Sequence, residues 1–443
     1  MDVVDFLLGP IFFLLIYFWA KSYAAKFSDP FLQKSFVNGL MFKMIGATGV
    51  SFVYWYIYGA GDSIFYYYRS IMMRQIMVHD FGAWLELMFS APADYGGEAF
   101  LYIGSLKADD QSSFLLVKIL SVVNLVCFNS YLVASFLFAV LSYYGIWKAF
   151  RFFNKLYPHN TKQLAIAFLY IPSVAFWGSG IFKDNVTYGF LCLLIVGLYS
   201  ILIYRKNILV NILVVISSVY VIGVIKSYIL MAFLPSFGIW LFLEYRKKIS
   251  SAVLRTISTP LFLGLSVVAG LFVLQTLGKT FNKFSVENFE TKASGMQRWH
   301  TKRVEQKGEG SSYSLGTIDF SAAGMIKTAP QAIFVSIFRP FLWEARNPVM
   351  LLSALESLFF LVYTIRLFPY FFSKPTRAFG VLIDNPPLVF CIIFSLIFAF
   401  SVGFTSYNFG ALSRYRIPLL PFYMMFVSIL IEKLSATKQV LNK

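Results

Sequence analysis

The segment Tyr58–Tyr68 reads YGAGDSIFYYY, and the reading of the whole chain turns on it. An apolar run over 37–59 ends here, and a polar, aromatic-rich segment over 60–113 follows. The stretch sets one carboxylate, Asp62, among glycines and tyrosines where the chain leaves an apolar segment. Further apolar runs of spanning length recur along the 443 residues, which are 58% hydrophobic and 13% charged. A soluble domain carries about 25% charged residues, so this chain cannot cover itself with polar surface. Runs of this length and composition read as membrane spans.

The spans are expected at 4–20, 37–59, 114–147, 163–182, 185–204, 207–224, 228–245, 255–278, 347–365, 386–404 and 411–432. The stretch 114–147 is long for one span and leaves room for an interfacial helix leading into a span near 128–147. The expected fold is one integral domain over 1–443, an all-α polytopic membrane protein of about 11 transmembrane helices. Two long segments join the spans, 60–113 with interfacial helices and 279–346 with a re-entrant helix near 327–345. The opening MDVVDFLLGPIFFLLIYFWAK lacks a basic start and a small-residue cleavage site, so it is expected to remain as the first span.

The net charge of +17 does not imply nucleic acid, because the basic residues sit in short loops between spans. One set of connections holds Lys21, Lys26, Lys34, Lys148, Arg151, Lys155, Lys162, Arg205, Lys206, Arg246 to Lys248, Arg366, Lys374 and Arg377. The short connections of the other set hold Lys183 and Lys226. The positive-inside rule then places the N-terminus outside and the C-terminus in the cytoplasm. Asp62, Asp80, Asp94, Glu98, Asp109, Asp110, Asp319 and Glu344 fall on the outer side. No GxxxxGK[ST] motif and no GxGxxG after a strand is present, which argues against an ATP-driven pump. Cys127, Cys192 and Cys391 lie in apolar runs, and His79, His159 and His300 are too scattered for a metal cage.

Four constellations carry candidate chemistry. Asp62, with Tyr66, Arg69 and Arg74 downstream, either caps the helix that Ser63 begins or serves as a general base. Gly59 and Gly61 beside it would allow a backbone or a substrate to come close. In PSVAFWGSGIFKDNVTYG, Pro172 to Gly189, Trp177, Lys183 and Asp184 cluster where a turn is also expected. A lysine there could clamp a phosphate. In FRPFLWEARN, Phe338 to Asn347, Arg339 and Glu344 either bind substrate or pair to anchor the re-entrant helix. In SRYRIPLLPFYMM, Ser413 to Met425, Arg414 and Arg416 lie at an outer boundary, against the charge rule, ahead of Pro418 and Pro421, which loosen or kink the helix. The guanidinium fork suits phosphate, and snorkelling is the alternative.

Taken together, these motifs resemble the GT-C class of integral-membrane glycosyltransferases. GDSIFYYY is similar to the Asp-bearing start of that class's first large external loop, RYRIPLLP resembles the Arg-Tyr-x-x-Pro-x-x-Pro-like span of bacterial members, and FWGSGIFKD looks like the Trp-Ser-x-x-x-Lys-Asp/Glu segment of relatives. Here the Asp loop follows the second span, and no Asp-Glu pair follows Asp62. The resemblance implies transfer of a sugar from a polyprenyl-phosphate donor to a glycan or lipid acceptor at the outer face of the cytoplasmic membrane. Asp62 would be catalytic, with Tyr66, Trp177, Lys183, Asp184, Arg339, Glu344, Arg414 and Arg416 binding substrate. No cofactor is expected, and a divalent metal is not favoured. The chain also resembles O-antigen-type polymerases and ligases, for which Gln297 to Gly310 would be the basic external loop. A transporter or flippase of lipid-linked glycan would instead use Glu356, Lys43, Lys118 and Lys226, and a structural membrane partner would use none of these.

Overall fold

The computed structural model describes residues 1–90, 99, 101–106, 110–247, 249, 295, 312–316 and 322–441. Among these residues the secondary structure is helical, and an isolated bridge pairs Ser312 with Asn408. Among the described residues, eight helices are long and apolar enough to cross a membrane: Val3–Ala24, Pro30–Tyr58, Tyr131–Leu156, Lys183–Tyr204, Ile208–Lys226, Tyr228–Arg246, Pro348–Ser373 and Pro386–Ser406. The pair Phe409–Tyr415 and Leu420–Ser435, bent by 68° at the break between them, makes up to nine when it is counted as one span. The chain is an all-α, multi-pass membrane protein.

Side-chain caps start several of these helices. Asp2 and Asp5 form a reciprocal capping box, each carboxylate accepting the other's backbone N–H. Asp29 accepts from the Phe31 N–H ahead of Pro30, and Asn347 accepts from the Met350 N–H ahead of Pro348. Ser130 and Asn408 cap the helices that follow them in the same way. Each cap satisfies a donor that the helix itself leaves unpaired, and proline at the first position has no donor to lose.

The exposed faces suit hydrocarbon. Leu209, Leu213, Ile216 and Tyr220 fall at helical spacing along Ile208–Lys226 and are 80%, 68%, 61% and 57% exposed. The polar side chains Asp184, Lys226, Glu356 and Arg416 are buried instead. Apolar burial does not drive helices together in lipid, so close packing through small residues must. A Cβ at Gly145 would run into the Gly189 carbonyl of the neighbouring helix, and one at Gly403 into the Ala332 carbonyl.

The chain forms two compact units, Met1–Pro158 with Phe168–Lys226, and His159–Ala167 with Ser227–Lys443. In the first, Phe36 packs on Trp147 with ring centroids 4.9 Å apart. In the second, Trp240 packs on Phe390 at 5.2 Å.

Several expected elements take a different form. The span expected at 163–182 is two short helices, Thr161–Leu169 and Pro172–Trp177. The stretch 114–147 divides into Gln111–Val123 and the span Tyr131–Leu156. The helix expected near 327–345 runs from Ala322 to Phe338, and a single turn, Leu342–Glu344, follows it. The span expected at 255–278, the loop Gln297 to Gly310, and Asp94, Glu98, Asp109 and Asp319 lie outside the described residues.

Candidate functional site

In the first unit, polar contacts join the start of Val3–Ala24 to the segment before Tyr131. Buried Asp5 accepts from Ser130 Oγ at 2.7 Å and from the Leu132 N–H at 2.9 Å. The helix Asp62–His79 meets the same place: Ser63 Oγ lies 2.7 Å from Tyr131 Oη, and Tyr67 Oη donates to Asn129 O at 2.5 Å. Burial, with the nearby carboxylates adding to it, holds the Tyr67 phenol protonated well above its usual range.

Asp62 is the first residue of its helix and is exposed; Gly61 holds the capping position, without a side-chain hydrogen bond. The expected start at Ser63 thus moves back one residue. The two flanking glycines serve the turn, with φ of 65° at Gly59 and 131° at Gly61, a region other residues enter only with strain. Downstream, the Arg69 guanidinium lies 3.4 Å from the centre of the Phe65 ring.

Lys183 opens the helix Lys183–Tyr199. Its ammonium donates to Ser112 Oγ at 2.7 Å and Ser113 Oγ at 2.9 Å, lies 3.8 Å from Asp110 Oδ2, and sits 5.8 Å from the centre of the Tyr66 ring. Tyr66 is four residues beyond Asp62, and residues at that spacing are neighbours on one helix face. Asp62, Tyr66 and Lys183 therefore share one corner of the unit. Asp184 turns inward and pairs with Lys226, the two side chains being 1% and 8% exposed. Trp177 is buried, 6.5 Å from the Tyr54 ring.

The other expected residues belong to the second unit. Arg339 grips Glu344 through two nitrogens, Nε to Oε2 at 3.1 Å and Nη2 to Oε1. Glu344 also accepts from the Phe341 N–H at 2.8 Å. Burial raises the Glu344 pKa, but the Arg339 hydrogen bond, the Phe341 N–H and the Arg339 charge outweigh it and hold the carboxyl below its usual range. Arg339 also lies 5.2 Å from the centre of the Phe409 ring.

Arg416 sits in the break between Phe409–Tyr415 and Leu420–Ser435 and is fully buried. Its Nη2 donates to Glu356 Oε1 at 3.2 Å, and its Nη1 donates to Ser357 Oγ at 2.9 Å and Arg339 O at 3.0 Å. Arg414, two residues earlier, is half-buried.

Sequence reasoning did not find the partners. Asp110, Ser112 and Ser113 lie about seventy residues from Lys183 in the chain, with no periodic signal to join them. Lys43, in the middle of Pro30–Tyr58, is buried and donates to the Gly178 carbonyl. Among the described residues, no group of three or more His, Cys, Asp or Glu side chains gathers as a metal site would require. No family model, curated protein or solved structure matches this chain.

Proposed function

We propose that the chain is a membrane glycosyltransferase of the GT-C type, using a polyprenyl-phosphate-linked sugar at the outer face of the cytoplasmic membrane. What supports this reading is the corner formed by Asp62, Tyr66 and Lys183: a cation over the Tyr66 ring, and an exposed carboxylate one helical turn before that tyrosine. In the proposed step, an acceptor hydroxyl attacks the anomeric carbon of the donor. Its proton passes to the Asp62 carboxylate. The bond from the anomeric carbon to the phosphate oxygen breaks, and the polyprenyl phosphate leaves with the electron pair. Lys183, steadied by Ser112 and Ser113, holds the phosphate as charge develops on it. The Arg416 guanidinium is committed to Glu356 and Ser357 and is left out of the donor site.

The transporter reading draws on the buried ionisable residues, since charges inside spans often mark an ion or substrate path. Each one here is held by the protein: Lys226 by Asp184, Arg416 by Glu356, and Lys43 by the Gly178 carbonyl. That arrangement favours a fixed scaffold over a moving charge relay.

The test uses purified protein in bilayer discs and a panel of polyprenyl-phosphate sugars with labelled glycosyl groups. Asp62→Asn keeps the shape of the side chain and removes the base. It should fold as wild type and lose transfer by about 10²–10⁴-fold. Lys183→Met should weaken donor binding by about 10- to 100-fold, the weight of one charge-assisted contact. Full transfer by Asp62→Asn would overturn the assignment of the base.

A further inference from the structure

The second unit contains a cavity of about 390 Å³ that the proposed transfer does not use. Arg366, Lys374 and Arg377 line it, with Tyr370, Ser373 and Leu434. Its lining holds three cations and no carboxylate. Arg377 Nη2 is enclosed and has no hydrogen-bond acceptor among the described residues. The hydroxyl of Tyr370 lies 2.6 Å from Ser435 Oγ, which fixes that wall.

Two features place the cavity at a membrane boundary. Leu434 lies 14 residues beyond Leu420, where the last helix starts. At 1.5 Å per residue that is about 21 Å, enough to carry the chain across most of a hydrocarbon layer about 30 Å thick. Around the cations stand apolar side chains open to the surroundings: Phe368 at 51%, Phe372 at 83%, Phe379 at 54% and Ile383 at 47% exposed. Phe379 and Ile383 are four apart on the short helix Pro375–Ile383, so they share a face. Basic groups beside an apolar helix face are the chemistry of a segment lying in the headgroup layer.

We propose that this cavity binds the phosphate of an anionic phospholipid. The three cations surround the headgroup, and Phe372, Phe379 and Ile383 lie along the acyl chains. Three cations with no carboxylate among the described lining residues favour an anion, and the exposed aromatic side chains distinguish a lipid from a free phosphate. The site is independent of the assignment of Asp62 and Lys183.

The probes are phosphatidylglycerol, phosphatidylcholine and inorganic phosphate, offered to the purified full chain in mild detergent, with bound species counted by native mass spectrometry. A basic residue near an anionic lipid surface contributes roughly fivefold to binding. Wild type should therefore prefer phosphatidylglycerol over phosphatidylcholine by about 100-fold, and Arg366→Gln/Lys374→Gln/Arg377→Gln should lose that preference. The single variant Arg377→Gln, a milder change, should lose about fivefold and stands in if the triple variant does not fold. Undiminished preference in the variants would overturn the site. Inorganic phosphate that binds as tightly as the lipid and displaces it would overturn the lipid as occupant.

Discussion

Arg416 marks where a residue-level reading of this sequence stops. Its position was conspicuous, a second arginine against the charge rule, and the fork geometry suggested phosphate. In the structure its terminal nitrogens turn inward to Glu356, Ser357 and the Arg339 carbonyl. Glu356 lies 60 residues earlier, and nothing in either stretch announces the pairing. The Arg339–Glu344 pair, by contrast, was legible, because its partners are five residues apart in one motif. Desolvating the Arg416–Glu356 pair is costly, and removing one partner leaves the other charge buried alone. Arg416→Met should therefore destabilise the protein by about 3–5 kcal/mol, and adding Glu356→Leu should restore most of that loss. Thermal unfolding of both single variants and the double variant in detergent reads this directly. If the double variant were as unstable as the sum of the two, the pair would not be the interaction that matters at Arg416.

Element by element, hydropathy located the long spans and missed their interruptions. Residues 163–182 are apolar enough to read as one span, yet the helix stops at Leu169 and resumes at Pro172. Proline has no N–H to give to the preceding turn, and it pushes the residue before it out of helical geometry; Ile171 has ψ of 121°. The same chemistry acts in the last span, where the 68° bend falls at the expected Pro418. Contacts between helices were also invisible, since a glycine in a greasy run does not say what it faces. Gly145 faces the Gly189 backbone, and Gly380 faces open space. Gly145→Ala should cost about 1–3 kcal/mol by forcing two backbones apart. Gly380→Ala should be neutral or stabilising by up to about 1 kcal/mol, because alanine suits a helix better. Unfolding midpoints of the two variants should move in opposite directions or, at the least, only the first should fall.

At the scale of the whole chain, charge segregation is the property that function depends on. In the first unit the carboxylates Asp2, Asp5 and Asp62 lie at helix starts, near the contacts that join Ser130, Tyr131 and Lys183 to their neighbours. The far ends of the same helices carry Lys21, Lys155 and Arg205, and there Arg151 lies 5.1 Å from the centre of the Phe27 ring. A membrane whose cytoplasmic side attracts Lys and Arg should hold these ends in the cytoplasm and the Asp62 corner outside. The orientation decides which chemistry is open to the site. Outside, a lipid-linked sugar is available and a nucleotide sugar is not, so an inverted chain would need another donor. Ala60, exposed beside the Asp62 turn, and Lys206, exposed at the other end, give the two reporters. In intact cells, Ala60→Cys should react with an impermeant thiol reagent, and Lys206→Cys should react only once the membrane is opened. Cys127 and Cys192 are buried and should leave a low background. The reverse pattern would turn the Asp62–Lys183 corner toward the cytoplasm and remove the lipid-linked donor from the proposal.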